Sequence, residues 1–132
     1  MDLRVERTRR HIAEAFLALR AQKPLERMTV KELAARAEIN KATFYLHYRD
    51  IYDLADRMEA EIVEGVMGRI HRPEDLLLHP SEAIREMTLA FQEEQERIRV
   101  VFSGSQREHL VERVSRSIRQ VIFAKYPQWR GN

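Results

Sequence analysis

Between Met28 and Tyr48 the chain reads MTVKELAARAEINKATFYLHY, two short helix patterns separated by a tight turn. Thr29 with Glu32 three residues on forms a capping box, and Leu33, Ala34 and Ala37 share one face behind it. Asn40 caps the second pattern, which carries Thr43, Phe44 and Tyr45 and fades near Tyr48. Helices joined this closely cross steeply, so the contact between them must be small and apolar. Ala34 stands where the crossing helix presses, Leu33 and Ala37 face the core, Ile39 fills the turn, and Phe44 anchors the second helix from inside. This is the order of a helix-turn-helix, and it fixes the fold of the N-terminal part.

The remaining signals are helical as well. Ile12, Phe16 and Leu19 stack at i, i+4, i+7 with Ala13, Ala15 and Leu17 beside them, which predicts a helix over roughly 6–21, closed by Lys23-Pro24. Asp50 caps a long fourth helix whose stripe is Leu54, Met58, Ile62, Val66 and Ile70, with Asp53 in its first turn. His71-Arg72-Pro73 and His79-Pro80 then bracket PEDLLLHP, which has room for one turn of helix. Ser81 is expected to cap a helix carrying Ile84, Met87 and Phe91 as far as Phe102, before Gly104. Ser105 with Glu108 offers another capping box, opening a last helix through Leu110, Val114, Ile118 and Ile122 to about Tyr126. Strand alternation, hairpin turns and internal repeats are missing from the sequence. The expected fold is all-α: a three-helix domain over 1–50, a linking fourth helix over 51–70, and a short helical region over 71–132.

Composition narrows the function. With 44% hydrophobic and 33% charged residues, four Gly and four Pro, the 132-residue chain has the make-up of a folded helical protein. No run approaches the ~18 apolar residues of a membrane span, and a charged start replaces the apolar segment of a signal peptide. The expectation is a cytoplasmic protein with no membrane partner. Zero cysteines excludes thiolate catalysis and Cys-based zinc sites. Net charge is +2, yet residues 1–50 hold 11 Lys/Arg against 7 Asp/Glu while residues 51–132 hold 12 against 14. The N-terminal end is the one suited to a polyanion.

Turning Phe44 inward sends Lys41, Ala42, Thr43, Tyr45 and Leu46 partly outward. A second motif helix laid in the major groove touches base edges with its N-terminal residues. Lys41 and Thr43 are therefore the candidates for groove contacts, with Ala42 small enough to allow close approach. Tyr45 and His47 suit the backbone, where phenol and imidazole donors meet phosphate oxygens. Tyr45 reads equally as a half-buried aromatic. Arg7, Arg9, Arg10 and His11 form either a basic edge near the duplex or a solvated helix start.

The segment TVKELAARAEINKATFYLHYRDIYDLADRM resembles the N-terminal domain of TetR/AcrR-type transcriptional regulators over about residues 7–62, through its capped helix, turn, KATFYLHY core, Asp50 and Leu54. The resemblance implies a bacterial transcription factor, usually a repressor, that binds palindromic double-stranded operators as a homodimer. It also implies phosphate contact at Tyr45, a DNA surface at Lys41 and Thr43, and a backbone neighbour at Thr29. The full expected DNA-binding set is Thr29, Lys31, Asn40, Lys41, Thr43, Tyr45, His47 and Arg49.

Three departures stand out. Glu38 occupies the turn position where the family has Gly, and a non-Gly residue in the left-handed region costs roughly 1 kcal/mol or more. Ile51 replaces a common Lys, leaving Arg49 as the substitute phosphate partner. Only 62 residues follow Ile70, although LAFQEEQERIRVVFSGSQREHLVERVSRSI resembles the start of the C-terminal domain of one subgroup. That length suggests a truncated chain or a minimal regulator that dimerises differently. A small-molecule effector is expected only if the native C-terminal domain is complete. A closed pocket of ~300 Å³ is hard to build from two helices against the fourth, so an open cleft and an exposed or self-paired apolar face are expected, with Trp129 helping to cover it.

Catalytic readings find no footing. His71 and His79 flank Glu74 and Asp75 without a metal-ligand spacing. Glu93/Glu94/Glu96 and Asp53/Asp56/Glu59 lie on helices with regular apolar faces and read as solvated surface. Nucleophile elbows, Gly-rich phosphate loops and HExxH are absent from the sequence. No enzyme activity, cofactor or metal is expected. The competing reading is a co-activator or adaptor of the same family type that grips a protein partner and has lost DNA recognition.

Overall fold

A computed structural model describes residues 2–70, 72 and 74–129, and among them it contains α-helices, short 3-10 turns and no strand. The chain is all-α. The eight α-helices among the described residues are α1 Leu3–Arg20, α2 Val30–Ala37, α3 Lys41–His47, α4 Ile51–Met67, α5 Asp75–Leu78, α6 Pro80–Glu93, α7 Gln95–Val101 and α8 Arg107–Lys125. Two compact units divide it within α4, at Met58 and Glu59.

In the first unit the core is the set of inward faces of α1, α2, α3 and the start of α4. Ile12, Phe16, Leu33, Phe44 and Leu54 are each almost wholly buried. Leu25 and Met28 join them from the 3-10 turn at Leu25–Arg27 that leads into α2. Helix α1 starts earlier than its apolar spacing suggests, because the Asp2 carboxylate accepts from the Arg4 amide at 2.9 Å. Lys23 ties the end of this segment to α2 through a 2.7 Å ion pair with Glu32.

In the second unit Ile62, Val66, Ile70, Ala83, Ala90, Val101 and Phe102 are buried. Helix α8 is half-buried along Leu110, Val114, Ile118 and Ile122, with none of its residues fully enclosed. Three local expectations need correction here. Pro80 rather than Ser81 opens α6, because its fixed φ is already helical and it occupies the first turn at no hydrogen-bond cost. The helix expected to reach Phe102 breaks at Glu94 (φ −97°, ψ 7°). Arg69 holds that break, donating to the Ala90 carbonyl at 3.4 Å and pairing with Glu93 at 2.6 Å and Glu94 at 3.4 Å. A cation at a helix C-terminus is stabilising, and this one lies more than 20 residues away in sequence.

The Ser105–Glu108 capping box does not form. Gly104 (φ 57°) begins a 3-10 turn, Gly104–Gln106, and α8 starts at Arg107 without a side-chain cap. Gln106 is instead drawn to the buried Glu59, donating to its Oε2 at 2.6 Å. The expectation of a solvated Glu59 is corrected as well: it is 1% exposed, because it also meets His109 Nδ1 at 3.0 Å and Arg113 Nε at 2.9 Å. A carboxylate so enclosed is tolerated only because its lone pairs are matched by donors and a charge.

Among its described residues this unit has open depressions. One of about 450 Å³ is bounded by Thr88, Phe91, Gln92 and Gln95. Ile84, Leu89 and Val111 are exposed apolar side chains. Trp129 stacks on Tyr126 with ring centres 4.8 Å apart and stays half exposed. Among the described residues no group of His, Asp and Glu is placed to hold a metal ion, and no helix is long and apolar enough to cross a membrane. His79 is exposed, and His71 lies outside the described residues.

Candidate nucleic-acid interface

Local capping holds both motif helices. The Thr29 hydroxyl accepts from the Glu32 amide at 3.2 Å, and Glu32 Oε1 accepts from the Thr29 amide at 3.1 Å, closing the capping box. The Asn40 side chain accepts from the Thr43 amide at 2.8 Å and sets the start of α3. Asp50 does the same for α4 through the Asp53 amide at 2.8 Å. These three caps replace orphan helix-end donors with fixed partners, so the angles at which the short helices enter are defined.

The turn is built without glycine. Glu38 takes the left-handed conformation at φ 59°, ψ 43°. Its amide bonds to the Ala35 carbonyl at 3.2 Å and the Ile39 amide reaches the Ala34 carbonyl at 2.9 Å. This pair of bonds is the Schellman closure, and half-buried Ile39 supplies its apolar contact. The turn keeps its register and carries the strain of a non-Gly residue.

Helix α3 is organised around Phe44, which is 0% exposed. At about 100° per residue, Lys41 and Tyr45 fall on one flank of the outward surface and Thr43 and His47 on the other. Lys41 is exposed and Tyr45 is 54% exposed. Thr43 and His47 are half-buried. Ala42 and Leu46 lie opposite Phe44, and Leu46 is 82% exposed. Tyr45 also meets Phe44 edge-on at 5.4 Å between centres, which steadies the ring without hiding it.

The other expected positions lie at the start of α2, at the cap of α3 and just past its end. Thr29 and Lys31 are exposed at the start of α2. The oxygen of Thr29 serves the cap, and so does that of Asn40. Arg49, just past α3, has a side chain 88% exposed, while its amide donates to Asp53 Oδ2 at 2.9 Å. That bond, followed by the charges of Arg57 and Arg49, holds the Asp53 carboxyl below the usual carboxylate range. Ile51 is buried, so this place in α4 serves the core. Arg7, Arg9, Arg10 and His11 are exposed along α1.

Two residues outside the expected set shape the site. Tyr48 is buried against Phe44 at 5.7 Å between centres, and the Arg57 guanidinium lies over its ring at 5.7 Å. Together they lock the end of α3 to α4. The local signal for Tyr48 was its spacing of four from Phe44; nothing local marks Arg57.

Residues 12–58 match the family described as bacterial regulatory proteins, tetR family. A 55-residue stretch is 29% identical to the HTH-type transcriptional regulator YxbF of Bacillus subtilis (strain 168), covering 42% of this chain and 14% of that protein. No solved structure matches the chain.

Proposed function

The chain carries, over residues 12–58, the N-terminal helix-turn-helix domain of the tetR family of bacterial regulatory proteins, and on that premise we propose that it regulates transcription by laying α3 in the major groove of an operator duplex. The observation that carries this reading is the polarity of α3. Its one fully buried side chain is Phe44, and a capped, seven-residue helix offers Lys41, Ala42, Tyr45 and Leu46 to solvent with no protein partner covering them among the described residues. A helix about 10–12 Å across with its side chains fits a groove about 12 Å wide. In this reading Lys41 and Thr43 reach toward bases, Tyr45, His47, Arg49, Thr29 and Lys31 lie toward phosphates, and Asn40 holds the helix start.

Repression is the proposed outcome, through occupancy of a two-fold symmetric site by two copies. Support for self-association comes from the exposed Ile84, Leu89 and Val111 of the second unit, apolar area that pairing of two copies would remove from water. The adaptor reading loses one of its motives, because the turn closes around Glu38 with full Schellman hydrogen bonding. Selection of the full chain on a random-sequence duplex pool at low salt tests the proposal. Enrichment of an inverted repeat, with binding lowered at least tenfold by Lys41→Ala and Tyr45→Ala, supports it. No enrichment, with a protein partner still captured by those variants, favours the adaptor.

A further inference from the structure

The most outward ridge of α3 is apolar. Taking Phe44 as the inward direction, Ala42 and Leu46 fall at about 160° and about 200° around the helix, so the line opposite the core runs between them. Their i, i+4 spacing places one above the other. Among the described residues Leu46, at 82%, is the most exposed large apolar side chain, and Ala42 beside it is exposed too. The hydrogen-bonding residues occupy the flanks, Lys41 and Tyr45 on one side and Thr43 and His47 on the other.

A helix that enters a major groove presents its most outward ridge to the floor and its flanks to the walls. The walls carry phosphates, which suits Tyr45 on one flank and His47 on the other. The floor offers donors, acceptors and a single apolar feature, the C5-methyl group of thymine. Ala42 and Leu46 can neither donate nor accept through their side chains, and a leucine pressed on a polar base edge would strip water from it without replacing the lost hydrogen bonds. Resting on the reading that α3 enters the groove, we infer that Leu46, with Ala42 giving it room, reads thymine by contact with its methyl group. Specificity at those base pairs is then carried by an apolar side chain rather than by the polar flanks.

The test uses the full chain and duplexes enriched from a random-sequence pool, with each thymine of the enriched site replaced singly by deoxyuridine, which removes only the methyl group. Wild type is expected to lose about fourfold in affinity at one or two positions per half-site, the worth of one buried methyl group. Leu46→Ala should bind the thymine duplex more weakly and respond to deoxyuridine at those positions by less than twofold. Because Leu46 is so exposed, this variant keeps its fold, which an unchanged melting temperature verifies. Tight binding by wild type with no deoxyuridine sensitivity overturns the inference and leaves the groove reading standing. Equal sensitivity in wild type and Leu46→Ala also overturns it. So does a loss of self-association in Leu46→Ala with deoxyuridine sensitivity unchanged, which assigns the leucine to a protein contact. Failure of wild type to enrich any duplex removes the groove reading and this inference together.

Discussion

The Ile39 amide donates to the Ala34 carbonyl at 2.9 Å, spanning a Glu38 held at φ 59°. The helix-turn-helix therefore closes through backbone bonds alone, with a side chain where glycine would be strain-free. Glu38→Gly should raise the stability of the first unit by about 0.5–1 kcal/mol, the relief of left-handed strain less the added freedom of glycine in the unfolded chain. Glu38→Val, β-branched and worse in that region, should lower it by more than 1 kcal/mol in order of magnitude. Thermal unfolding of the two variants checks the opposite signs.

Thr29 and Glu32 are joined by both bonds of the capping box. Thr29→Ala should cost about 1 kcal/mol, while Thr29→Ser keeps the acceptor and most of the stability. Amide hydrogen exchange in the first turn of α2 reads this directly, with faster exchange at Glu32 in the alanine variant only.

Glu32 also has its carboxyl held below the usual range, first by the hydrogen bond from Lys23 and then by the Thr29 amide. A depressed folded-state value means that the stabilisation is present above the unfolded value, near pH 4.3, and is lost as pH falls through the folded value. Wild type should lose melting temperature below about pH 4.5 more steeply than Glu32→Gln, and the two curves should converge in acid. Parallel curves down to pH 3 would contradict the assignment.

Glu59, which is buried, pairs with half-buried Arg113 at 2.9 Å. Arg113→Met leaves the carboxylate enclosed with Gln106 and His109 alone and should destabilise the chain by about 3 kcal/mol. Adding Glu59→Leu should recover most of that loss, since an apolar pair carries no desolvation penalty. Urea unfolding of the single and double variants measures the recovery.

What the sequence made legible was what a few neighbouring residues decide. The caps at Thr29, Asn40 and Asp50 each depend on a group three residues ahead, and all three form. The inward Phe44 and the outward set of α3 follow from helical period alone. Distant partners decided the rest. Arg69 splits the expected long helix at Glu94, and the side chain of Gln106, the residue just before α8, turns to Glu59. The buried turn at Leu25 and the Arg57 guanidinium over Tyr48 likewise have no local signature. In the candidate site, positions were readable, whereas the degree of exposure that separates Leu46 from half-buried Thr43 and His47 required the packed structure.

The central claim is that the surface around α3 binds a duplex through its phosphates, and the salt dependence of binding tests it most directly. For the full chain on its enriched duplex, log affinity should fall linearly with log salt, and Arg49→Ala, whose side chain is 88% exposed, should flatten the slope by about 0.9, one phosphate contact. Affinity that is independent of salt, or a slope unchanged in Arg49→Ala and in Lys31→Ala alike, would contradict it.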